Sequence, residues 1–411
     1  MQLFFKKSNY KRFFLFLLLL ILSGSFLLFS FSPQKKLSFQ EMTEKLFLED
    51  ITTDTLSLHY TIAHPSHYGV SSYPVTLPKY SPEILHESYS RIENILFNLS
   101  QIEHSSLSSE EAYCHKLLTD YLALQKKGFP FTYFEEFFSP SNGIPANYPI
   151  LMAEYTFRTD RDIKDYLALL KDTPNYFACY LQFQKERSEK GYHLATVSLQ
   201  ETLAQCDTLI SKESLEKNSH FLQQTFRERI SPLVAENIIS KEEALRYIEE
   251  NNQLLMTVVL PAYQELKHSL LSLQTEDVSL KGLSQYENGK EYYQWLVRKQ
   301  TGCPLTIPEI LDKLENDYKK NLKEFLSLQQ RLSAFGNYEK FIDKPFPVTD
   351  RNKILNILQS LASEDFPSLT SFSDRPIKTN IKSVSSCMEE YTSPAFYMIP
   401  PIDDFWQNTI Y

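Results

Sequence analysis

Glycine is the scarcest informative residue in this 411-residue chain. It occurs 9 times, where average usage of about 7% would supply roughly 29. Glycine provides the positive φ of tight turns, so so low a count excludes a hairpin-rich β fold and Gly-rich phosphate loops. An excess of basic charge is missing as well. The net charge is -9, and no basic stripe interleaves with aromatics beyond the N-terminal segment, which removes the electrostatic footprint of nucleic-acid binding. The cysteines are five and scattered, Cys114, Cys179, Cys206, Cys303 and Cys387. With no CxxC spacing, they write neither a disulfide framework nor a zinc knuckle and read as small hydrophobes.

Signatures of chemistry are missing too. There is no HExxH helix to bind zinc, and His86-Glu87 has no second histidine a turn later. No GxSxG elbow is present, and the sequence neighbours Cys114 and His115 do not by adjacency make an activated thiolate. Glu135-Glu136 has the residue types of an acid/base pair. Neighbours on a helix point about 100° apart, however, which makes them a solvated edge. His59, His64 and His67 are the nearest approach to a ligand cluster. Pro65 and Tyr68-Gly69 put a turn between them that separates the imidazoles, and no carboxylate or cysteine completes the set nearby. No metal site and no catalytic set is assigned in this chain.

What is present begins with an uncharged run of 19 residues, Phe13 to Phe31. At about 1.5 Å per residue it is roughly 28 Å long, close to the hydrocarbon thickness of a bilayer. Lys6, Lys7, Lys11 and Arg12 precede it. The positive-inside rule then makes 1–12 a cytoplasmic basic tail, 13–31 a transmembrane helix and 32–37 a linker, with residues 38–411 outside the cytoplasm. The competing reading is a cleaved signal peptide that leaves a secreted protein. Leu22-Ser23-Gly24-Ser25 has the outline of a lipobox with serine in the place of the lipid-bearing cysteine.

The ectodomain reads as mainly α, a large multi-helix unit with a few short C-terminal strands. Capping boxes precede apolar-periodic runs at Ser108–Glu111, Ser240–Glu243 and Thr306–Glu309. Helical periodicity covers about 40–60, 81–126, 160–190, 193–230 and 241–275, with Pro261 kinking the last. From Ile310, the positions Leu311, Leu314, Tyr318, Leu322, Phe325 and Leu326 predict a helix with one buried face and a stop at Gly336. The aromatic-rich stretch 128–158 predicts core packing under an irregular loop. Ile381–Val384, Ala395–Ile399 and Asn408–Tyr411 predict strands around Pro400-Pro401.

Several stretches, in order, resemble the bacterial domain-of-unknown-function family 885: His64-Pro65-Ser66-His67-Tyr68-Gly69, Phe157-Arg158, Gly282 to Tyr293, Ser393 to Tyr397, and Pro400-Pro401-Ile402-Asp403-Asp404. The resemblance spans about 38–411. It implies a helical, zinc-metallopeptidase-like extracytoplasmic protein whose presumed zinc motif, His-Glu-x-x-x-Gly-His, follows the Ala-Phe-Tyr region. That motif and a later Glu-Gly-Trp segment are not in this sequence. The resemblance therefore implies the N-terminal portion of such a hydrolase, without cofactor itself, with zinc expected only in a complete family member. The implied partners are the membrane, a downstream-encoded C-terminal half and a peptide substrate. By analogy with zinc peptidases, whose edge strand pairs with substrate backbone, Tyr397, Asn408 and Tyr411 line a substrate cleft. The alternative is a stand-alone helical binding module for peptides or cell-wall components.

Overall fold

The computed structural model describes residues 38–140, 142–273 and 282–334, with the shorter pieces 348–350, 353–354, 356–357, 360–361, 378–381, 397–404 and 407–410. The expected membrane span, Gly336, Cys387 and Tyr411 lie outside the described residues. No described helix is long and apolar enough to cross a membrane.

Helices dominate, as the periodicity predicts. The N-terminal layer is α1 (Phe39–Ile51), α2 (Thr55–Thr61), α3 (Pro82–Ser100) and α4 (Ser109–Lys127). The 81–126 stretch is two antiparallel helices, because the first ends at Ser100, capped by Gln101, and the second starts at the Ser108–Glu111 capping box. The central layer is α5 (Ile144–Glu154), α6 (Asp160–Glu189), α7 (Thr196–Leu209), α8 (Lys212–Glu216), α9 (Phe221–Ala235), α10 (Lys241–Leu254) and α11 (Leu260–Ser272). The periodic stretch 193–230 divides where Ile210 leaves helical geometry and again at Asn218, whose φ is +54°.

The 30-residue helix α6 is the axis of the core. Thr159 and Asp162 cap its start reciprocally, satisfying two of the otherwise orphaned backbone donors. Its fully buried positions Ile163, Tyr166, Leu170, Thr173 and Phe177 recur at three and four residues. They face α10, α11 and the π-helical turn Leu255–Val259 between those two. Pro174 sits inside α6 and leaves the Leu170 carbonyl without its usual N–H. The Thr173 hydroxyl donates to that carbonyl at 2.8 Å instead, and Tyr148 Oη lies 2.5 Å from Thr173 Oγ1. In the 241–275 stretch, where a kink at Pro261 is expected, the helix widens into a π turn at Leu255–Val259 just before it.

The aromatic stretch is core, but its second half is more ordered than the loop predicted from its prolines. Phe138 is fully buried, and Pro145 stands in the first turn of α5, where a missing N–H is harmless.

Beyond these layers come α12 (Gly289–Thr301), α13 (Ile307–Ala334) and the strands β1 (Lys378–Ile381), β2 (Tyr397–Met398) and β3 (Gln407–Ile410). The strands are offset from the expected spans by one to three residues. β3 lies in the middle, parallel to β1 and antiparallel to β2. For α13 the expectation of a buried face fails. Its capping box forms, with Thr306 N and Glu309 Oε2 2.8 Å apart. Yet Leu311, Leu314, Tyr318 and Phe325 are 58–65% exposed, and Leu322 and Leu326 are exposed as well. Periodicity sets which face is apolar; it does not supply the surface that covers it. No described residue after Tyr292 is buried.

Candidate functional site

Among the described residues, the turn beside the C-terminal sheet is tied to the helical layers at the end of α2. Asp54 opens α2, accepting from the Ser57 N–H at 2.9 Å. The helix ends at Thr61, and there the turn after β2 docks. Ile402 N–H donates to the Thr61 carbonyl at 2.9 Å, while the Asp403 carboxylate accepts the N–H groups of Ala63 at 2.6 Å and His64 at 2.9 Å. A carboxylate on two successive backbone N–H groups is a charge-assisted anchor. It brings Pro400–Asp404 onto His64–Gly69 across some 340 residues of sequence.

Beneath this junction lies His59. Its ring stacks on Tyr155 at 3.6 Å, and Nε2 accepts the Thr156 N–H at 3.0 Å. In the neutral ring Nδ1 therefore carries the proton. Burial first, then the charges of Arg158 and Arg229, hold the His59 pKa well below the usual histidine value. Arg229 is itself engaged: it donates from Nη1 to the Met152 carbonyl at 3.0 Å and to the Tyr155 carbonyl, and lies 4.6 Å over the Phe157 ring. Asp162 accepts the Arg158 N–H at 2.9 Å. Tyr73 donates to Asp165 at 2.6 Å and carries the Arg161 guanidinium 4.1 Å above its ring. The cavity between His59, Tyr73, Arg158 and Asp162 is about 20 Å³, enough for one water. It serves as a structural knot and has no room for a substrate.

The three histidines considered as ligands are not brought together. His64 and His67 are exposed with ring centroids 5.0 Å apart, whereas His59 is buried with Nε2 already accepting. Asp403, the carboxylate beside His64, is committed to backbone. Among the described residues no group of three or more His, Cys, Asp or Glu side chains could hold a metal ion. These donors do not fit a zinc site.

Tyr397 lies on β2, an edge strand, and is 51% exposed. Asn408 is on the middle strand β3, where it pairs with Thr379 of β1 two residues from Tyr397's partner Ile410. Tyr411 lies outside the described residues. Of the residues assigned from sequence to a substrate cleft, Tyr397 therefore stands on an edge strand and Asn408 on the middle strand. Pairing order is not written in the strands themselves.

The other candidates are structural. Glu136 pairs with the buried Arg187 at 3.7 Å and Glu135 with Lys299 at 3.6 Å. Arg187 Nε also donates to the Tyr133 carbonyl at 2.8 Å. Burial raises the Glu136 pKa, opposed by Arg187. Cys114 is exposed, and His115 is buried with Nε2 3.0 Å from the Leu99 carbonyl. Burial pushes the Cys206 thiol up to about 12, an inert cysteine. In Gly282–Tyr293, Gly282 (φ +72°) and Asn288 (φ +60°) shape the turn into α12. A Cβ on Gly289 would meet the Leu283 carbonyl oxygen at 1.8 Å. The stretch seats Tyr292 against Phe134, with ring centroids 4.4 Å apart. Sequence reasoning missed Asp403 as an anchor, because its partners are backbone groups that carry no residue signature.

The family model of bacterial proteins of unknown function, DUF885, matches residues 66–411, and the chain belongs to that family. Among solved structures, a candidate lipoprotein from Colwellia psychrerythraea shares the fold with a TM-score of 0.72 at 16% identity, covering 91% of this chain and 67% of its own. A candidate lipoprotein of unknown function from Shewanella oneidensis gives 0.48 at 14% identity, covering 90% and 65%. No curated protein matches this chain.

Proposed function

We propose that this DUF885 member is the scaffold portion of a membrane-anchored, extracytoplasmic, metallopeptidase-like hydrolase, inactive by itself for want of the His-Glu-x-x-x-Gly-His motif. The observation behind this reading is the Asp403 junction. It fixes the sheet, with the exposed Tyr397 on its edge strand, against the helical body. An open edge of this kind is where an extended peptide adds as a further strand. The chain spans about two thirds of the length of the Colwellia protein. Residues 13–31 supply the anchor, in keeping with the description of the Colwellia protein as a candidate lipoprotein. Ser25 stands where a lipid-bearing cysteine would be.

The decisive observation is the DNA just past the last codon. A reading frame opening near a His-Glu-x-x-x-Gly-His motif supports the proposal, and its product should confer zinc binding and peptide hydrolysis when mixed with this chain. Stoichiometric zinc, or peptide cleavage by this chain alone, would overturn it.

A second reading, a stand-alone binding module for peptides or cell-wall components, is favoured by one feature. The described residues from Phe39 to Tyr292 bury three hydrophobic clusters, the largest running from Leu56 to Leu270. That reading predicts peptide or cell-wall-fragment binding by the chain alone, with no second polypeptide required.

A further inference from the structure

The longest uncovered feature of the molecule is α13. Eight large apolar side chains between Leu311 and Leu332 are 40% or more exposed. Together they offer on the order of several hundred Å² of apolar surface, approaching what one partner contributes to a stable interface. The stripe has heptad order: Leu311, Leu314, Tyr318, Asn321, Phe325 and Leu328 alternate steps of four and three residues, which is the seam of a two-helix coiled coil. Such a seam in water is unstable against any matching apolar face.

We propose that a second copy of this chain covers it, with two α13 helices packed antiparallel about a twofold axis near Lys319-Lys320. Three observations select this occupant. First, the charges along α13 are segregated. On one side of that axis Glu309, Asp312, Glu315 and Asp317 outnumber Lys313 and Lys319, while on the other Lys320, Lys323 and Arg331 outnumber Glu324. Antiparallel pairing lays each acidic half along a basic one within a Debye length, and parallel pairing opposes like halves. Second, pairing about this axis sets Leu311 against the partner's Leu328 and Leu314 against the partner's Phe325. The polar Asn321 then meets the partner's Tyr318 at the centre, where a buried polar group fixes register. Third, the described apolar residues that follow it in the chain, Ile354, Ile357 and Leu361, are themselves exposed and do not cover it. This inference does not rest on the hydrolase reading, because the sheet edge and α13 are separate surfaces.

The test uses the full chain in bacterial membranes and a short bis-maleimide crosslinker, with the unmodified chain as the baseline for its native cysteines. Asn321→Cys, next to the axis, should give a product of twice the 48.1 kDa chain mass. Leu311→Cys alone should not exceed baseline, whereas Leu311→Cys co-expressed with Leu328→Cys should crosslink. The double variant Leu314→Lys with Phe325→Lys should shift the detergent-purified chain from dimer to monomer in light scattering and leave its helical circular dichroism and melting transition in place. A monomeric unmodified chain overturns the proposal, as does Leu311→Cys crosslinking as strongly as Asn321→Cys, which marks a parallel pair. Loss of the Asn321→Cys product only when a second polypeptide is present would also overturn it, by assigning the face to that partner.

Discussion

His220 shows how one buried side chain couples this fold to pH. Its Nδ1 accepts the Leu222 N–H at 3.2 Å at the start of α9, and its Nε2 lies 2.8 Å from the Leu209 carbonyl. Burial lowers its pKa to about 4, partly offset by the Leu209 carbonyl. His59 is lowered well below the ordinary value for the same first reason. In both, the unfolded chain takes up a proton at a pH where the folded chain does not, so stability present above about pH 6.5 falls as the pH drops. For His220 the loss continues down to about pH 4, at up to about 1.4 kcal/mol per pH unit. Denaturation of the chain at pH 7.5 and pH 5 should show it. His220→Gln should start about 1 kcal/mol less stable through the weakened cap and then lose less on acidification. An equal loss in the variant would remove His220 from the account. Gly289 makes a steric case. Gly289→Ala should weaken the seating of α12 by about 2 kcal/mol, since neither backbone can give way. Because Trp295 on α12 donates to the Leu124 carbonyl at 2.8 Å, a red shift of tryptophan emission is the measurement.

At the scale of elements, caps and anchors divide the work. Ser240→Ala removes the reciprocal cap of α10 and should cost about 1 kcal/mol, visible as a lower denaturation midpoint with an unchanged slope. Asp403→Ala removes the acceptor of two backbone N–H groups and should weaken the junction by about 2 kcal/mol. The distinguishing measurement is hydrogen exchange: the Ala63 and His64 amides and residues 397–404 should lose protection while α6 and α11 keep theirs. Uniform loss throughout the chain would show the sheet to be integral to the helical core. The helices themselves were legible in sequence. Ser108, Ser240 and Thr306 carry their start signals in residue type and spacing alone. The strands were placed only to within a few residues, and their order, with β3 between β1 and β2, was not legible. Pairing joins residues far apart in the chain and is decided by long-range contact.

At the scale of the whole molecule, burial divides the chain at Tyr292. Residues before it build a core around α6; described residues after it are seated on that core or stand away from it. The proposed dimer and the proposed completing polypeptide both act on this second portion. A metal titration belongs at this scale, with the expected result that the chain alone takes up no stoichiometric zinc at neutral pH. One tightly bound zinc per chain would point to ligands outside the described residues and would end the scaffold reading.

The sequence by itself determined the helical class, the helix starts, the apolar faces and the order of the family stretches. Each of these depends on residues within a turn or two of one another. Only the tertiary structure decided which faces are covered and where distant segments meet. α13 has a clear apolar stripe, yet no described part of the chain lies over it. His59, His64 and His67 are close in sequence, yet the end of α2 and the docking of Asp403 send one inward and leave two outside. Local periodicity fixes how a segment is patterned; contact between segments hundreds of residues apart fixes what that pattern touches.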